Sequence, residues 1–472
     1  MNFYTSAKQV GENIWYRGYE NGKPVQYKKR LTPVLYTKTN KVTGLNTLDG
    51  SHVEAITFDT IRDSREFVKQ YADISDFTVY GFEKFHYVEL QKMYPSDIQY
   101  DIKCIRIFYI DIETSTEYGF PNIDDPKEEV LCLTIIDSYT GKSISWGTRP
   151  IEPQDEYEYI LCDGEVDLYD RLTAYWKANM PDVVSGWNSL MFDIPYIFKR
   201  ISRVMGDAYI NAFSPWKKIK TRSVYKFNRE HLVYDIVGIA QLDYLDLYKK
   251  FTYTNQENYK LDTIAELELG VGKVDHSEYE TFKLFYDTNF SKFVAYNRAD
   301  VQLIVQLEAK LKLIELAIAV AFDAKINFDE VYTQTVAWDS IIFNYLISRN
   351  IVVPSKEIHE KEEKFEGAFV KEPTPGMYQD VVSFDLASLY PHIIQLLNIS
   401  PETKVLGKAS DATVDSILDK TFDNSDYLDY SISPTGTLYT NGFTGMMPEL
   451  MQKYYAERKI YKKKQAQQIP GF

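Results

Sequence analysis

A nearly continuous apolar run at residues 102–110 is typical of a strand that is buried on both faces of a sheet. From this run to residue 313, strand patterns at 131–137 and 183–187 alternate with helical periodicity at 194–205 and 293–313. Such alternation predicts an α/β domain that is built around a central sheet.

The regions on either side of this domain have different patterns. The N-terminal part reads as short strands, with Asn21-Gly22 as a hairpin signal, followed by a helix at 60–71. Mostly helical material follows the α/β region and includes residues 331–347. The length of 472 residues corresponds to about three domains of roughly 150 residues each.

A further unit begins near Gly367. It has an apolar segment at 381–384, which predicts a buried strand, and then a helix that begins near Pro391. Its last part, residues 448–468, has helical periodicity and is rich in basic residues. The whole chain is therefore expected to be a multidomain protein with both α/β and α+β parts.

Composition narrows the functional classes. The 53 basic residues against 68 acidic residues give a net charge of −15, which argues against coating nucleic acid by bulk charge. It leaves room for an enzyme that holds cations with carboxylates. The three cysteines lack metal-ligand spacing, which favours a reducing compartment, and no apolar run or leader predicts membrane insertion or secretion.

Acidic residues follow the apolar strand and two later elements. Asp111 and Glu113 project from the same face of a strand, with Cα atoms roughly 7 Å apart, so a cation between them would relieve their repulsion. Asp193 opens a proline-led helix, and Tyr296 and Asp300 lie about one turn apart on another helix. Taken alone, the acid pair is more typical of a strand that runs into solvent and Asp193 of a helix cap, and the helix pair fits an ordinary polar helix face. Together they predict a site for two divalent ions, preferably Mg²⁺, that hydrolyses a phosphodiester.

A second set of residues predicts a triphosphate site. The string 383–391 is a strand that delivers Asp385, then a tight turn whose backbone N–H groups suit a phosphate, then a helix. Arg458 and Lys462 are four residues apart on the basic helix, so both cations face the same way. A plain solvated basic helix is the alternative for this pair.

The order Asp-x-Glu, Asn-x4-Asp and Tyr-x3-Asp resembles the proofreading exonuclease domain of family B DNA polymerases, and Asp385-x2-Ser-Leu-Tyr-Pro resembles their first palm motif. The segments 247–251, 254–256, 367–373 and 398–403 are similar to the replicative polymerases of T-even-type bacteriophages. The likeness runs from about residue 2 to about residue 465. One departure is Phe365, where the family usually has a tyrosine before Gly367.

The resemblance implies an RNase H-like exonuclease domain at 106–313, a mostly β N-terminal domain at 1–105 and 314–357, a partial palm at 358–446 and a partial fingers region at 447–472. It implies the following roles. The exonuclease acids are Asp111, Glu113, Asp193 and Asp300, with Tyr296 assisting the water. Phe120 stacks a frayed base, and residues 217–230 fall where the family has a β-hairpin. At the polymerase site, Asp385 and the Leu386 carbonyl hold metal, and the nucleotide contacts are Ser388, Leu389, Tyr390, Arg458 and Lys462.

The resemblance further implies Mg²⁺, replaceable by Mn²⁺, as cofactor, and primer–template DNA, single-stranded DNA and dNTP as partners, in the cytoplasm of an infected bacterium. The second fingers helix, the Asp-Thr-Asp strand and the thumb have no match in this sequence, so a second chain is expected to supply them. A natural split and a shortened chain agree equally well with the sequence. A self-standing exonuclease and a non-catalytic nucleic-acid-binding remnant are the alternatives.

Overall fold

The computed structural model describes residues 1–74, 77–153, 157–226, 229–275, 277–354 and 370–468. These residues form two compact units: the first spans 1–47 and 51–354, and the second comprises 48–50 and 370–468. Phe365 and residues 367–369 of the palm-region motif lie outside the described residues. The finer division into four domains stays a prediction.

The first unit begins with strands and then alternates strands with helices. Its strands are β1 (Phe3–Val10), β2 (Asn13–Glu20), β3 (Lys23–Arg30), β4 (Val34–Lys38), β5 (Val53–Thr57), β6 (Val79–Tyr80), β7 (Ile107–Thr114), β8 (Val130–Asp137), β9 (Ser143–Gly147), β10 (Glu158–Leu161), β11 (Val183–Ser185), β12 (Ile219–Lys226), β13 (Arg229–Ile236) and β14 (Ala240–Gln241). Its α-helices are α1 (Ile61–Tyr71), α2 (Phe85–Met93), α3 (Gly164–Ala178), α4 (Asp193–Met205), α5 (Tyr244–Phe251), α6 (Leu261–Leu269), α7 (Phe282–Thr288), α8 (Phe290–Leu311), α9 (Leu313–Ala324) and α10 (Gln334–Ile347).

Two small antiparallel sheets, ordered β1-β2-β3 and β5-β4-β6, form the N-terminal part. The predicted hairpin between β2 and β3 is confirmed: Asn21 and Gly22 have φ angles of 53° and 76°, the left-handed conformation that a tight two-residue turn requires. The predicted helix at 60–71 is also confirmed, with the Thr60 side chain accepting a hydrogen bond from the Asp63 N–H at 3.0 Å.

The central sheet has the strand order β10-β9-β8-β7-β11-β14. Strand β7 runs antiparallel to β8 and parallel to β11, so the sheet is mixed, as the predicted fold class requires. Strands β12 and β13 pair separately as an antiparallel hairpin, which overlaps the predicted hairpin region.

The alternation of side chains along β7 decides which face each residue occupies. Ile107 and Tyr109 belong to a core that includes residues of α8, whereas Phe108 and Ile110 belong to a core with α3 and α4. Because Asp111 is in phase with Ile107 and Tyr109, its side chain is directed toward the face that α8 covers.

Two predicted boundaries in this domain are wrong. Residues 102–104 form a 3₁₀ turn that the Asp101 side chain caps at the Lys103 N–H, so the strand begins at Ile107. The helix predicted over 293–313 starts at Phe290 and ends at Leu311, because Lys312 takes a left-handed conformation with φ 54° and divides α8 from α9.

The second unit contains a small antiparallel sheet and helices. Its strands are β15 (Lys404–Lys408), β16 (Tyr430–Ile432) and β17 (Thr437–Thr440), in the order β15-β17-β16. Its helices are α11 (Leu389–Leu396), α12 (Val414–Leu418) and α13 (Met446–Gln468). Within the described ranges of the chain, no helix combines the length and the apolar character that a bilayer crossing requires.

The strand predicted at 381–384 is absent from the described part of the second unit. These residues have no regular structure, and Val381 and Phe384 are 76% and 91% exposed. A buried strand needs hydrogen-bonding neighbours, and β15, β16 and β17 pair only with one another. The apolar pattern predicted a strand, but no neighbouring strand among the described residues pairs with this segment.

Candidate functional site

Strand β7 and helix α8 bring three acidic side chains together. Asp111 and Glu113 share the strand face that α8 covers, and Asp300 lies on the buried side of that helix. One carboxylate oxygen from each of the three lies within 4.8 Å of the others. The predicted convergence of strand and helix acids is therefore present in the structure, and these three residues form the acid cluster.

Asn297 fixes the position of one of these acids. Its side-chain Nδ2 donates a hydrogen bond to Asp111 Oδ2 at 2.7 Å, and the Cys132 thiol donates to Asn297 Oδ1 at 3.6 Å. Asn297 is fully buried one turn before Asp300 on α8. The hydrogen bond from Asn297 holds the Asp111 carboxylate in one orientation at the edge of α8.

Asp193 lies beside the cluster on the first turn of α4. It is buried, and its Oδ1 accepts a hydrogen bond from the Ile112 N–H at 3.1 Å. The turn before α4 is held by Asp243, whose carboxylate accepts from the backbone N–H groups of Asn188 and Leu190 at 3.1 and 2.9 Å. Asp193 is therefore anchored to β7 between the two strand acids, but it is not one of the three whose oxygens lie within 4.8 Å.

Burial and mutual repulsion both disfavour the ionised forms of these acids. Burial raises the pKa of Asp111 well above its ordinary value, and the charges of Asp193 and Asp300 raise it further. Burial likewise raises the pKa of Glu113, with Asp300 adding to the effect. Burial raises the pKa of Asp193 to about 7, although the Ile112 N–H works in the opposite direction. Such a group of carboxylates favours a bound cation at neutral pH.

Lys273 is a functional candidate that sequence reasoning missed. Its Nζ donates to Asp300 Oδ2 and, at 3.4 Å, to the Tyr296 hydroxyl. Burial lowers the pKa of Lys273, but the charge of Asp300, the neighbouring Tyr296 and the hydrogen bond to Asp300 together outweigh burial and leave this pKa above its usual range. The segment that carries Lys273 follows α6 and is tied to that helix, because the Lys273 N–H donates to Asp262 Oδ1 at 2.7 Å. Lys273 lies in an irregular segment outside α8, so its position in the sequence does not predict a contact with Tyr296 or Asp300. The contact is seen only in the folded structure.

The predicted water-positioning residue, Tyr296, is next to this lysine. The Lys273 ammonium lies 5.2 Å from the centre of the Tyr296 ring. Burial raises the pKa of the Tyr296 hydroxyl, and the charge of Asp300 adds to it, so the hydroxyl stays protonated and remains a hydrogen-bond donor.

The loop after β7 carries Phe120, the predicted base-stacking residue. Phe120 is 89% exposed, and Tyr118, two residues earlier in the chain, is 78% exposed. Rings in open solvent at a loop tip are available to stack on bases.

The polymerase residues lie in the second unit and are mostly exposed. Asp385 and Leu386 belong to an irregular segment, and Tyr390 is exposed on the first turn of α11. Two of the predicted nucleotide contacts approach each other, since Arg458 Nη1 lies 3.5 Å from Ser388 Oγ. The other predicted contacts, Leu389 and Lys462, are exposed on α11 and α13.

The segment 398–403 explains how α11 and α13 are held together. Asn398 Nδ2 donates to the carbonyls of Thr440 and Phe443 at 2.7 and 2.8 Å, and its Oδ1 accepts from the Gly445 N–H at 2.9 Å. Glu402 accepts from the Met446 N–H at the start of α13. The motif is thus a clamp at the N-terminus of α13 and contains no predicted nucleotide contact.

Comparison with known proteins agrees with this geometry. The sequence profile described as "DNA polymerase family B, exonuclease domain" matches residues 66–264, and that described as "DNA polymerase family B" matches residues 325–470. The chain is 31% identical over 491 residues to the DNA-directed DNA polymerase of Escherichia phage RB69, which covers 98% of this chain and 54% of the phage protein. The corresponding protein of Enterobacteria phage T4 is 30% identical over 490 residues, with the same coverage.

More distant similarity extends to a further viral DNA polymerase. The DNA polymerase of Paramecium bursaria Chlorella virus NY2A is 25% identical over 345 residues, which is 67% of this chain and 37% of that protein. An exonuclease-domain profile and a polymerase profile both match, so these similarities define the class as a polymerase with a nuclease domain.

The chain belongs to family B of the DNA polymerases and corresponds to the N-terminal portion of such an enzyme. It spans about half the length, 54%, of the two phage relatives.

Proposed function

We propose that the first unit is a 3′→5′ exonuclease that removes nucleotides from the end of a DNA strand with two divalent ions. The observation that carries this proposal is the acid cluster, whose three carboxylates converge within 4.8 Å on the α8 side of β7. Strand β7 and the neighbouring Asp193 lie within the residues that match the exonuclease-domain profile.

The donor set of the cluster fits a hard divalent ion. It consists of carboxylates, which Mg²⁺ prefers, and Mn²⁺ accepts the same ligands. Asp111, Glu113 and Asp300 would hold the first ion, and we assign Asp193, together with Asp111, to the second. When bound, such ions supply an activated water and stabilise the oxygen that leaves the phosphodiester.

The chain's own residues would prepare the substrate for this chemistry. The Tyr296 hydroxyl would orient the attacking water, and the Lys273 ammonium beside it would balance the charge of the scissile phosphate. Asn297 holds the carboxylate of Asp111 in one orientation. Phe120 would stack on a base of the single-stranded end.

The proposal predicts Mg²⁺-dependent digestion with a defined polarity. Single-stranded DNA with a 5′ fluorophore should shorten by one nucleotide at a time, whereas a 3′ fluorophore should be released in the first turnover. EDTA should stop the reaction, and added Mg²⁺ or Mn²⁺ should restore it. Gel electrophoresis of both labelled strands measures this, and internal cleavage or metal-independent digestion would contradict the proposal.

We further propose that the second unit contributes one side of a DNA polymerase site, acting on primer–template DNA and dNTP. The approach of Arg458 to Ser388 supports this, since it places a cation beside the turn that precedes α11. Asp385 and the Leu386 carbonyl would hold metal there. The remaining palm, fingers and thumb would come from a second chain.

This arrangement predicts that the two activities separate. Mixed with a polypeptide that carries the remaining palm, fingers and thumb, the chain should extend a primer. Asp385→Ala should block extension and leave digestion of single-stranded DNA within about twofold, because Asp385 is not part of the acid cluster. Asp419→Ala, an exposed acid at the end of α12, is the matched control.

Primer-extension and digestion assays on the same mixtures measure both activities. Loss of both with Asp385→Ala would contradict the separation of the sites. A chain that digests DNA but never extends primers with the added polypeptide would favour the self-standing exonuclease. Binding without digestion would favour a non-catalytic nucleic-acid-binding protein.

The phage origin of two relatives supports the cytoplasm of an infected bacterium as the place of action.

A further inference from the structure

A buried carboxylate that the proposed chemistry does not use lies behind the loop after β7. Glu128 is 2% exposed, and no cation pairs with it among the described residues. Its Oε2 accepts hydrogen bonds from the Ser115 hydroxyl and, at 2.8 Å, from the Glu117 N–H. Its Oε1 accepts from the Tyr118 N–H. One side chain therefore satisfies three donors of a single turn.

The position of Glu128 is itself fixed. Its backbone carbonyl accepts a hydrogen bond from the Tyr196 hydroxyl on α4 at 2.8 Å. The Ser115 hydroxyl in turn accepts from the Glu129 N–H at 3.0 Å, which ties the turn back to the start of β8. The bonds to the Glu128 carboxylate are charge-assisted and therefore stronger than neutral ones, so the base of the turn is firmly held.

The rings that this turn carries are exposed. Tyr118 receives its backbone anchor from Glu128 while its side chain is 78% exposed, and Phe120 follows two residues later at 89%. Two large rings held in solvent by a buried anchor have no packing role within the described residues. Two exposed rings on a turn whose backbone is anchored through Tyr118 suit the bases of a single-stranded nucleic acid, which stack without regard to sequence.

The catalytic acids do not depend on this anchor. Glu113 and Thr114 are held by the ladder between β7 and β8, in which Glu113 pairs with Cys132 and Thr114 with Val130. The Glu128 side chain bonds only to residues beyond that ladder, at 115–118. Its influence should therefore fall on the binding of the DNA end and not on the hydrolytic step.

We propose that Glu128 is a positioning residue that sets the affinity for the single-stranded 3′ end by holding the turn Ser115–Tyr118, so that the Tyr118 and Phe120 rings face the bases. This inference rests on the proposed exonuclease function for its substrate. It adds a residue whose carboxylate touches neither metal nor DNA.

The test compares Glu128→Gln with Glu129→Gln, a neighbouring acid whose side chain is exposed. In Glu128→Gln an amide N–H group faces backbone or hydroxyl donors, so the turn loses at least one bond. We expect KM for single-stranded DNA, and Kd measured by fluorescence anisotropy in EDTA, to rise about tenfold, roughly the loss of one stacked base. The value of kcat should stay within about twofold, and Glu129→Gln should match wild type.

A further set of variants separates a positioning role of Glu128 from general destabilisation of the turn. Ser115→Ala removes one of the three bonds and should raise Kd by a smaller factor in the same direction. In a Tyr118→Ala, Phe120→Ala background, Glu128→Gln should no longer change Kd, because the rings through which it acts are gone. An unchanged Kd in Glu128→Gln, a fall in kcat alone, or an undiminished effect in the ring-less background would each overturn the proposal.

The Kd measurement in EDTA tests the role of Glu128 independently of the proposed exonuclease activity. If wild type binds single-stranded DNA but does not digest it with Mg²⁺, the exonuclease proposal fails, and the Kd comparison still decides the role of Glu128. If wild type digests DNA and Glu128→Gln binds as wild type does, only the role of Glu128 fails.

Discussion

Asp111→Asn is expected to abolish Mg²⁺-dependent digestion of single-stranded DNA, with kcat lower by at least about a thousandfold, roughly 4 kcal/mol of transition-state stabilisation. The change removes the charge of a residue that shares the acid cluster with Glu113 and Asp300, and a neutral amide is a poor ligand for a hard cation. The amide has the same shape, so its oxygen can still accept the hydrogen bond from Asn297.

The same substitution should not destabilise the fold. Burial and neighbouring charges raise the pKa of Asp111 in the folded chain, so its ionised form opposes folding, and this cost appears as pH rises from the unfolded pKa through the folded one. In EDTA at pH 8 the variant should therefore unfold at the wild-type temperature or above it. Mg²⁺ should raise the unfolding temperature of wild type more than that of the variant.

The control for this prediction is Asp170→Asn, an exposed acid on α3, which should leave both activity and unfolding temperature unchanged. Single-turnover digestion and thermal unfolding, each with Mg²⁺ and with EDTA, are the measurements. If Asp111→Asn keeps more than a tenth of wild-type activity, or if it loses activity only because it no longer folds, the assignment of the acid cluster to catalysis fails.

Much of this centre follows from periodicity. The period of two along β7 places Asp111 and Glu113 on one face, and the helical period of α8 places Tyr296 and Asp300 about one turn apart. Asn297, three residues before Asp300, lies near the same face by the same helical spacing, although no role was predicted for it. Residues on one regular element are therefore within reach of sequence reasoning, because the element's geometry is known in advance.

Other contacts in the site depend on how separate segments of the chain pack together in the fold. Local sequence patterns do not specify this packing. Lys273 lies in an irregular loop, and nothing in its surroundings predicts the contact with Asp300. Glu128 and Glu129 are alike as adjacent acids, yet only the first is buried. The apolar residues 381–384 have the composition of a strand, but a strand also needs neighbours, and composition does not supply them.

Lys273→Ala is expected to lower kcat for single-stranded DNA about a hundredfold, roughly 2.7 kcal/mol, because it removes the cation that contacts both Asp300 and the Tyr296 hydroxyl. Lys273→Met, which keeps most of the volume but not the charge, should fall equally far. Lys273→Arg should retain more activity than either. Lys260→Ala, an exposed lysine just before α6, is the matched control and should behave as wild type.

The Mg²⁺ concentration needed for half-maximal activity distinguishes a role of Lys273 at the phosphate from a purely structural role. If Lys273 acts on the phosphate, its loss should lower both kcat and this Mg²⁺ requirement. The Lys273 ammonium is bonded to a carboxylate of the acid cluster, so it competes electrostatically with a divalent ion. Lys273→Ala and Lys273→Met should therefore need less Mg²⁺ for half-maximal activity while their kcat is lower. A disordered site would need more Mg²⁺, not less. If kcat falls and the Mg²⁺ requirement rises in both variants, Lys273 supports the fold of the loop and does not act on the phosphate.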